Sequence, residues 1–371
     1  MNDRAQTFAS VVVSRTAEIT VIPAPTGAEA ARAALVSRWW REDGWGGVHE
    51  DAVGNVWAAV QPGETHASGG GAIVLAAHLD TVFPADLPHT LQQQNGRMVG
   101  PGVGDDSVAL ASLSAVGALL SGTIRRSVWL LATVGEEGLG NLRGIMAALD
   151  GFASPIEALL VLEGNYLGRV SAIGVGSIRW RVRVSAPGGH AWEASEVPSA
   201  VHVAADIVQA IARLAITGAR AAVNVGRIGG GEAINARARE CWFELDIRAD
   251  DPAALATLES EARLLIAANT PGTVDVMIDE LGRRPAGALD PDHALVRAAI
   301  AALEEEGITP VFGATSTDAN AAHARGVPAV AVGVTTGSGE HTPHEWIDIA
   351  PIAQGLSVLA RTVMKFEEAA R

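Results

Sequence analysis

The chain has 371 residues, 48% hydrophobic and 4% aromatic, enough apolar material for one large or two ordinary domains. A formal net charge of −15 argues against nucleic acid and anionic membrane as partners, and it means that an anionic substrate must meet a local positive site. The single Cys241 excludes an intramolecular disulfide framework and a cysteine zinc site, no apolar run reaches transmembrane length, and the first residues lack a signal-peptide core, so a cytoplasmic protein is expected.

Residues 8–42 read as two helices separated by a turn at Pro23 to Gly27, the second from Ala28 to Trp40. DAVGNVWAAV (51–60) reads as a strand entered by a turn. GAIVLAAHLD (71–80) is a continuous apolar run, the mark of a strand buried on both faces. Ser107 to Leu120 is small, apolar and helical. SVWLLATV (127–134) is a second buried strand, followed by a helix near 141–149. EALLVLE (157–163) is a third and PAVAVGV (328–334) a fourth. Strands alternating with helices predict an α/β fold, a mostly parallel sheet with helices on both faces.

The middle of the chain has a different period. Ser177 to Arg183 alternates, a helix runs from about Ser199 to Ile216, and two strands lie within 219–230 and 236–250. A helix from Ala254 to Ala268 and a strand over 273–280 complete the set. Strand–helix–strand–strand–helix–strand with one wet sheet face is an α+β, ferredoxin-like module. It interrupts the parallel part, giving a catalytic domain over 1–176 and 286–371 and an insert over 177–285.

Charged residues close nearly every apolar run. His78 and Asp80, Asp105, Glu136 and Glu137, Glu163 and His341 nearly all close an apolar run or sit in the loop just after one. A carboxylate there is costly to desolvate without a partner, and five such places suggest a shared cation. Two imidazoles with several carboxylates suit zinc, with cobalt or manganese as alternatives. In an open parallel sheet these residues can converge, because ligands bind beyond the carboxyl ends of the strands.

His78 and Asp80 are two apart and share a face, so Asp80 is placed to accept the second ring N–H of a metal-bound His78. A core histidine beside a helix-capping aspartate is the plainer reading of the same pair. Asp105 reads either as a carboxylate bridging two metals or as the N-cap of the helix that follows. Of the adjacent Glu136 and Glu137, one can bind metal while the other faces substrate as general base, the pairing that metal-assisted hydrolysis needs. Glu163 completes a second metal's shell or forms a structural salt bridge. His341 and His344 are not separated by position alone.

Together HLDTV, GPGVGDDS, GEEG, LEG, GGH and GEHTPHEW resemble the co-catalytic di-zinc metallopeptidases that include glutamate carboxypeptidase, acetylornithine deacetylase, succinyl-diaminopimelate desuccinylase and aminoacylase. The resemblance spans residues 10 to 360. It implies that His78, Asp105 and Glu163 bind one zinc and that Asp105, Glu137 and His341 bind the other. Asp105 then bridges, Asp80 orients His78, and Glu136 is the general base and later proton donor. It selects His341 over His344, because the ligand histidine precedes Thr/Ser-Pro.

The insert resembles the family's lid or dimerisation domain. There His190 matches the histidine that stabilises the oxyanion, often from a partner subunit, and Asn235 and Arg248 match substrate-contacting positions. GATSTDAN (313–320) resembles a substrate-side loop with room for a carboxylate. Two departures touch substrate details only: Ser107 and Val108 stand where a Lys or Arg often follows the bridging Asp, and Ala236 and Arg237 stand where a Pro is common.

The resemblance implies a zinc-dependent amidohydrolase, a homodimer in the family's manner, cleaving a small peptide or an N-acyl amino acid with a free carboxylate through a metal-bridging water. The alternatives are an aminopeptidase that reads a free substrate amine, and a catalytically silent, metal-stabilised binding protein.

Overall fold

The computed structural model describes residues 1–61, 71–214 and 219–369. Contacts divide the chain into two units, Met1–Ile173 with Leu289–Arg371, and Gly174–Ala288. In chain order the helices are α1 (Asn2–Thr20), α2 (Ala30–Glu42), α3 (Val108–Leu120), α4 (Arg143–Gly151), α5 (Ala200–Ile211), α6 (Pro252–Ala268), α7 (Ala294–Glu305), α8 (Ala319–His323) and α9 (Ile352–Ala369).

The first unit holds a small sheet of Gly337–Ser338, Trp346–Asp348, Arg97–Val99 and Gln92–Gln94 and a large one. The large sheet includes, in order, Gly46–Glu50, Val56–Gln61, Val128–Thr133, Ala72–His78, Ile156–Glu163, Ala329–Gly333 and Arg169–Gly174. The four strands from Val128–Thr133 to Ala329–Gly333 are parallel to one another, and the flanking strands pair antiparallel. Every residue of Ala72–His78 is buried. Side-chain alternation explains why. Ile73, Leu75 and Ala77 join the core under α1, α2, α3, α7 and α9, while Val74 and Ala76 join a second core under α4 and α8. Helices therefore cover both faces of the sheet.

The strand expected over 51–60 begins only at Val56. Asp51 is the reason: its Oδ1 accepts the N–H groups of Val53, Gly54 and Asn55, so the segment turns instead of extending. That turn pairs Val56–Gln61 with Gly46–Glu50, a strand whose GGVHE sequence carries no β pattern. The stretch Val103–Leu120 is long and apolar enough to cross a membrane, and it is 89% buried within the protein, so its apolarity is that of a core helix.

In the second unit the sheet order is Ala221–Gly230, Glu240–Ala249, Gly176–Ser185 and Asp275–Arg284, all antiparallel. With α5 and α6 this is the split βαβ arrangement. Ile178, Trp180, Val182 and Val184 alternate inward and pack with Val203, Ile207, Leu258 and Ala262 of the two helices. The last turn of the helix expected to Ile216 lies partly outside the described residues, and α5 ends at Ile211.

Candidate metal centre

Three neighbouring parallel strands deliver the site. His78 ends one and stands in register with Thr133 of the next, so Glu136 and Glu137 emerge three and four residues later beside it. Glu163 ends the strand on the other side, in register with Gly333. Asp105 lies in the irregular turn Val103–Ser107 that leads into α3, and His341 in the loop beyond Ala329–Gly333.

Asp105 takes the central place. Its Oδ1 is 2.8 Å from His78 Nε2, and its Oδ2 is 3.1 Å from His341 Nε2. His341 Nε2 is also 3.2 Å from Glu137 Oε1. Donor atoms of His78, Asp105 and Glu137 lie within 4.8 Å of one another. Glu163 and Glu136 are buried beside them, and Asp106 and Asp105 act electrostatically on Glu163. His344 is exposed and makes no such approach among the described contacts; the geometry gathers His341 instead.

Asp80 holds two things at once. His78 Nδ1 lies 2.9 Å from the Asp80 carbonyl oxygen and 3.5 Å from its carboxylate. The carboxylate itself accepts the N–H of Glu136 at 3.0 Å, the N–H of Glu137 at 2.9 Å and the Thr26 hydroxyl at 2.8 Å. Asp80 thus ties the His78 ring to the backbone of both glutamates. On the far side of that loop, Glu29 Oε1 accepts the Gly135 N–H at 3.1 Å and pairs with Arg143.

The charges are unbalanced. Burial alone would pull the His78 pKa down, but bonds to Asp105 and Asp80 hold it well above its ordinary 6.5. Hydrogen bonds to Asp105 and Glu137 raise His341 to about 10. Burial opposes ionisation of Asp105, yet hydrogen bonds from both imidazoles keep it far below the usual carboxylate range. Glu163 and Asp106 move the other way, pushed well up by burial and by neighbouring carboxylates. Such a set of crowded acids around two imidazoles suits a divalent cation, which would replace the protons that now hold it together. The residues present fit a metal.

Several supporting residues escaped the sequence reading. Glu345 is fully buried and accepts the N–H groups of Gly102, Gly104 and Asp105 at 2.9, 3.0 and 2.7 Å, so it shapes the loop that carries Asp105. Burial, with Asp105 nearby, pushes it up to about 8. Its only signal was its place in HTPHEW. Arg32 is fully buried in α2, on the face that carries Val36, Trp39 and Trp40. A charged residue on an apolar stripe was the available signal. In the 313–320 loop, Asp318 accepts the Thr133 hydroxyl at 2.6 Å and so fastens the loop to the sheet.

The three insert residues fall in two places. Gly189–His190 pairs with Ala236–Arg237, and the Ala191 N–H donates to the Asn235 carbonyl at 2.9 Å, so His190 and Asn235 are neighbours. Arg248 is not with them. Glu240 at the start of its strand pairs with Ser185, and Arg248 pairs with Ser177. Those eight residues span about 26 Å of strand. There Arg248 Nε donates to Asp246 at 2.8 Å.

Comparison with solved structures gives the same fold. Aminopeptidase PepT from Bacillus cereus aligns with a TM-score of 0.80 at 20% identity, over 96% of this chain and 98% of that one. A tripeptidase from Staphylococcus aureus aligns with a TM-score of 0.78 at 20% identity, over 97% and 98%. The YXEP protein of Bacillus subtilis, described as a dinuclear metal-binding peptidase of the M20 family, aligns at 0.71 and 15% identity, over 98% and 99%. No curated protein sequence matches significantly. The model of peptidase family M20/M25/M40 matches residues 74–365, from the His78 strand into α9, and the chain therefore belongs to that family and is a metallohydrolase acting on amide bonds.

Proposed function

We propose that the protein is a zinc-dependent hydrolase that cleaves an amide bond of a small peptide or an N-acyl amino acid bearing a free carboxylate. The observation that carries this reading is the Asp105 carboxylate, with one oxygen facing each imidazole and the buried Glu136 alongside.

His78, Asp105 and Glu163 would hold one cation, and Asp105, Glu137 and His341 the other. Bound there, the two ions would supply Lewis acidity toward the amide carbonyl and make a neighbouring water more acidic. Glu136 takes the proton of the attacking water and passes it to the departing amine nitrogen. Asp80 keeps Glu136 in position by accepting its backbone N–H. His190 donates to the tetrahedral oxyanion, Asn235 contacts substrate beside it, and Arg248 grips the substrate carboxylate through its fork. Because His190 and Asn235 lie beyond the Glu240 end of the strand, and Arg248 lies about 26 Å along that strand from Glu240, we assign them to different sites of a homodimer, His190 serving the partner's. The lone cysteine fits a cytoplasmic location.

The likeness to PepT and to a tripeptidase favours a second reading, an aminopeptidase that recognises a free substrate amine. Hydrolysis of N-acyl amino acids, free dipeptides and blocked dipeptides separates the two. Turnover of N-acylated substrates supports the first reading; turnover of free-amine peptides alone replaces it with the second. Glu136→Ala should lower kcat by about 10²–10⁴-fold while bound zinc stays at two per chain. Two bound zincs without turnover of any of these substrates would point to a silent binding protein.

A further inference from the structure

A permanent cation lies within the same unit as the crowded carboxylates. Arg32 is fully buried in the first turn of α2. Its Nε donates to the Ile22 carbonyl at 3.0 Å and its Nη1 to the Leu79 carbonyl at 3.3 Å. Leu79 is the residue between His78 and Asp80. Asp80, Asp106, Glu345 and Asp105 all act electrostatically on the guanidinium. Its Nη2 has no hydrogen-bond partner among the described residues, and neither has Asp106 Oδ1.

Burying a guanidinium is expensive, and a Leu or Met would satisfy this stripe of α2 without that cost. The bonds made by Nε and Nη1 end on carbonyls, so what the charge offers is long-range attraction to these acids, of which Asp105 is a candidate ligand, Asp106 adjoins it and Asp80 braces the His78 ring. Attraction of that kind matters most when nothing else offsets those acids. A divalent ion bound among them would instead be repelled by the same guanidinium.

We infer that Arg32 is a positioning residue of the metal centre, a fixed counter-cation that holds the ligand carboxylates together before metal arrives and loosens the grip on the metal afterwards. The inference rests on the reading that this cluster holds divalent cations. It commits to a direction opposite to that of an ordinary supporting residue: removing Arg32 should tighten metal binding.

The test uses the full chain, stripped with chelator and titrated with zinc against a chromophoric competitor, with Tm measured for the stripped and loaded forms. In Arg32→Met, zinc should bind about tenfold more tightly, and the stripped form should lose more Tm than the loaded form. Arg32→Lys, which keeps the charge, should bind zinc within about twofold of wild type. Unchanged or weaker zinc binding in Arg32→Met, with equal Tm losses in both forms, would reduce Arg32 to packing and overturn the inference. Folding of Arg32→Met only when zinc is present would support it. If Arg32→Met folds in neither condition, the double variant Arg32→Met/Asp106→Asn decides, because it removes the guanidinium together with one of the acids it acts on. Wild-type zinc affinity in the double variant supports charge balance, and failure like the single variant's overturns it. A wild type that binds no zinc would sink the metal reading and this inference together, whereas two bound zincs with an unmoved Arg32→Met would sink only the inference.

Discussion

Asp105 and the two imidazoles define how the site responds to pH. In the metal-free protein, hydrogen bonds to Asp105 and Glu137 raise His341 to about 10, and bonds to Asp105 and Asp80 push His78 well above 6.5, so both rings are biased toward the protonated form. Metal needs neutral imidazole, so loading must expel those protons. Calorimetry in two buffers of different ionisation enthalpy should give a net release of protons on loading, from the two imidazoles and from the raised Glu163 carboxyl; a release near zero would contradict the assignment of both rings as ligands. The sign for stability follows from the raised values. Charged His341 contributes fully below its ordinary 6.5, and the contribution is lost as pH rises through about 10. Metal-free protein should therefore weaken across that window while loaded protein does not, which denaturant titrations at pH 6.5, 8 and 10 would reveal. Glu345 supplies the second residue-level prediction. Glu345→Ala strands three buried N–H groups and should cost about 3 kcal/mol or more, whereas Glu345→Gln keeps one acceptor oxygen and should cost about half of that. An alanine variant within about 0.5 kcal/mol of wild type by urea unfolding would show that the loop finds other acceptors.

Elements meet closely where the ligands do. A Cβ on Gly164 would stand 1.7 Å from the Gly104 carbonyl oxygen, so the strand end behind Glu163 and the turn bearing Asp105 touch through bare backbone. Gly164→Ala must push them apart, at a cost of about 1–3 kcal/mol. Metal analysis should find fewer than two zincs per chain; full occupancy would mean the turn can shift without losing Asp105. In the insert, Arg283 joins α6 to the strand Asp275–Arg284 by bonding Glu259 and Glu280 at 2.8 and 2.7 Å. Those bonds hold both glutamates below their ordinary range, so their contribution is present above pH 4.5 and fades as pH falls. Both pairs are partly exposed, so Arg283→Met should cost only about 1 kcal/mol at pH 6, with a smaller difference at pH 3. Equal losses at the two pH values would assign the effect to packing instead. The buried strands were legible because a strand covered on both faces is apolar throughout. Gly46–Glu50 was not, since GGVHE becomes a strand only through pairing with Val56–Gln61.

At the scale of the whole molecule, the separation of His190 and Asn235 from Arg248 leads to a complementation test. Mixed dimers of His190→Ala and Glu136→Ala contain one site with both defects and one with neither, if His190 serves its partner. Co-refolding the two inactive variants should then recover about a quarter of wild-type activity for random pairing. No recovery, with mixed dimers demonstrated, would return His190 to its own chain. Family membership and fold agree with the reading of HLDTV, GPGVGDDS, GEEG and GEHTPHEW, whose order and separations carried the resemblance across nearly the whole chain.

What the sequence determined by itself was the alternation of buried strands with helices, the ferredoxin-like insert, and the residue types gathered at the strand ends. Each of these is a local pattern of period, burial and spacing. Only the tertiary structure decided which groups hold those residues in place. Glu345 reaches back more than two hundred residues to the Asp105 loop, Asp80 binds the backbone of Glu136 and Glu137, and Arg32 turns a helix's apolar face toward the Leu79 carbonyl. A buried polar group takes whatever partner folding brings to it, and that partner has no fixed place along the chain.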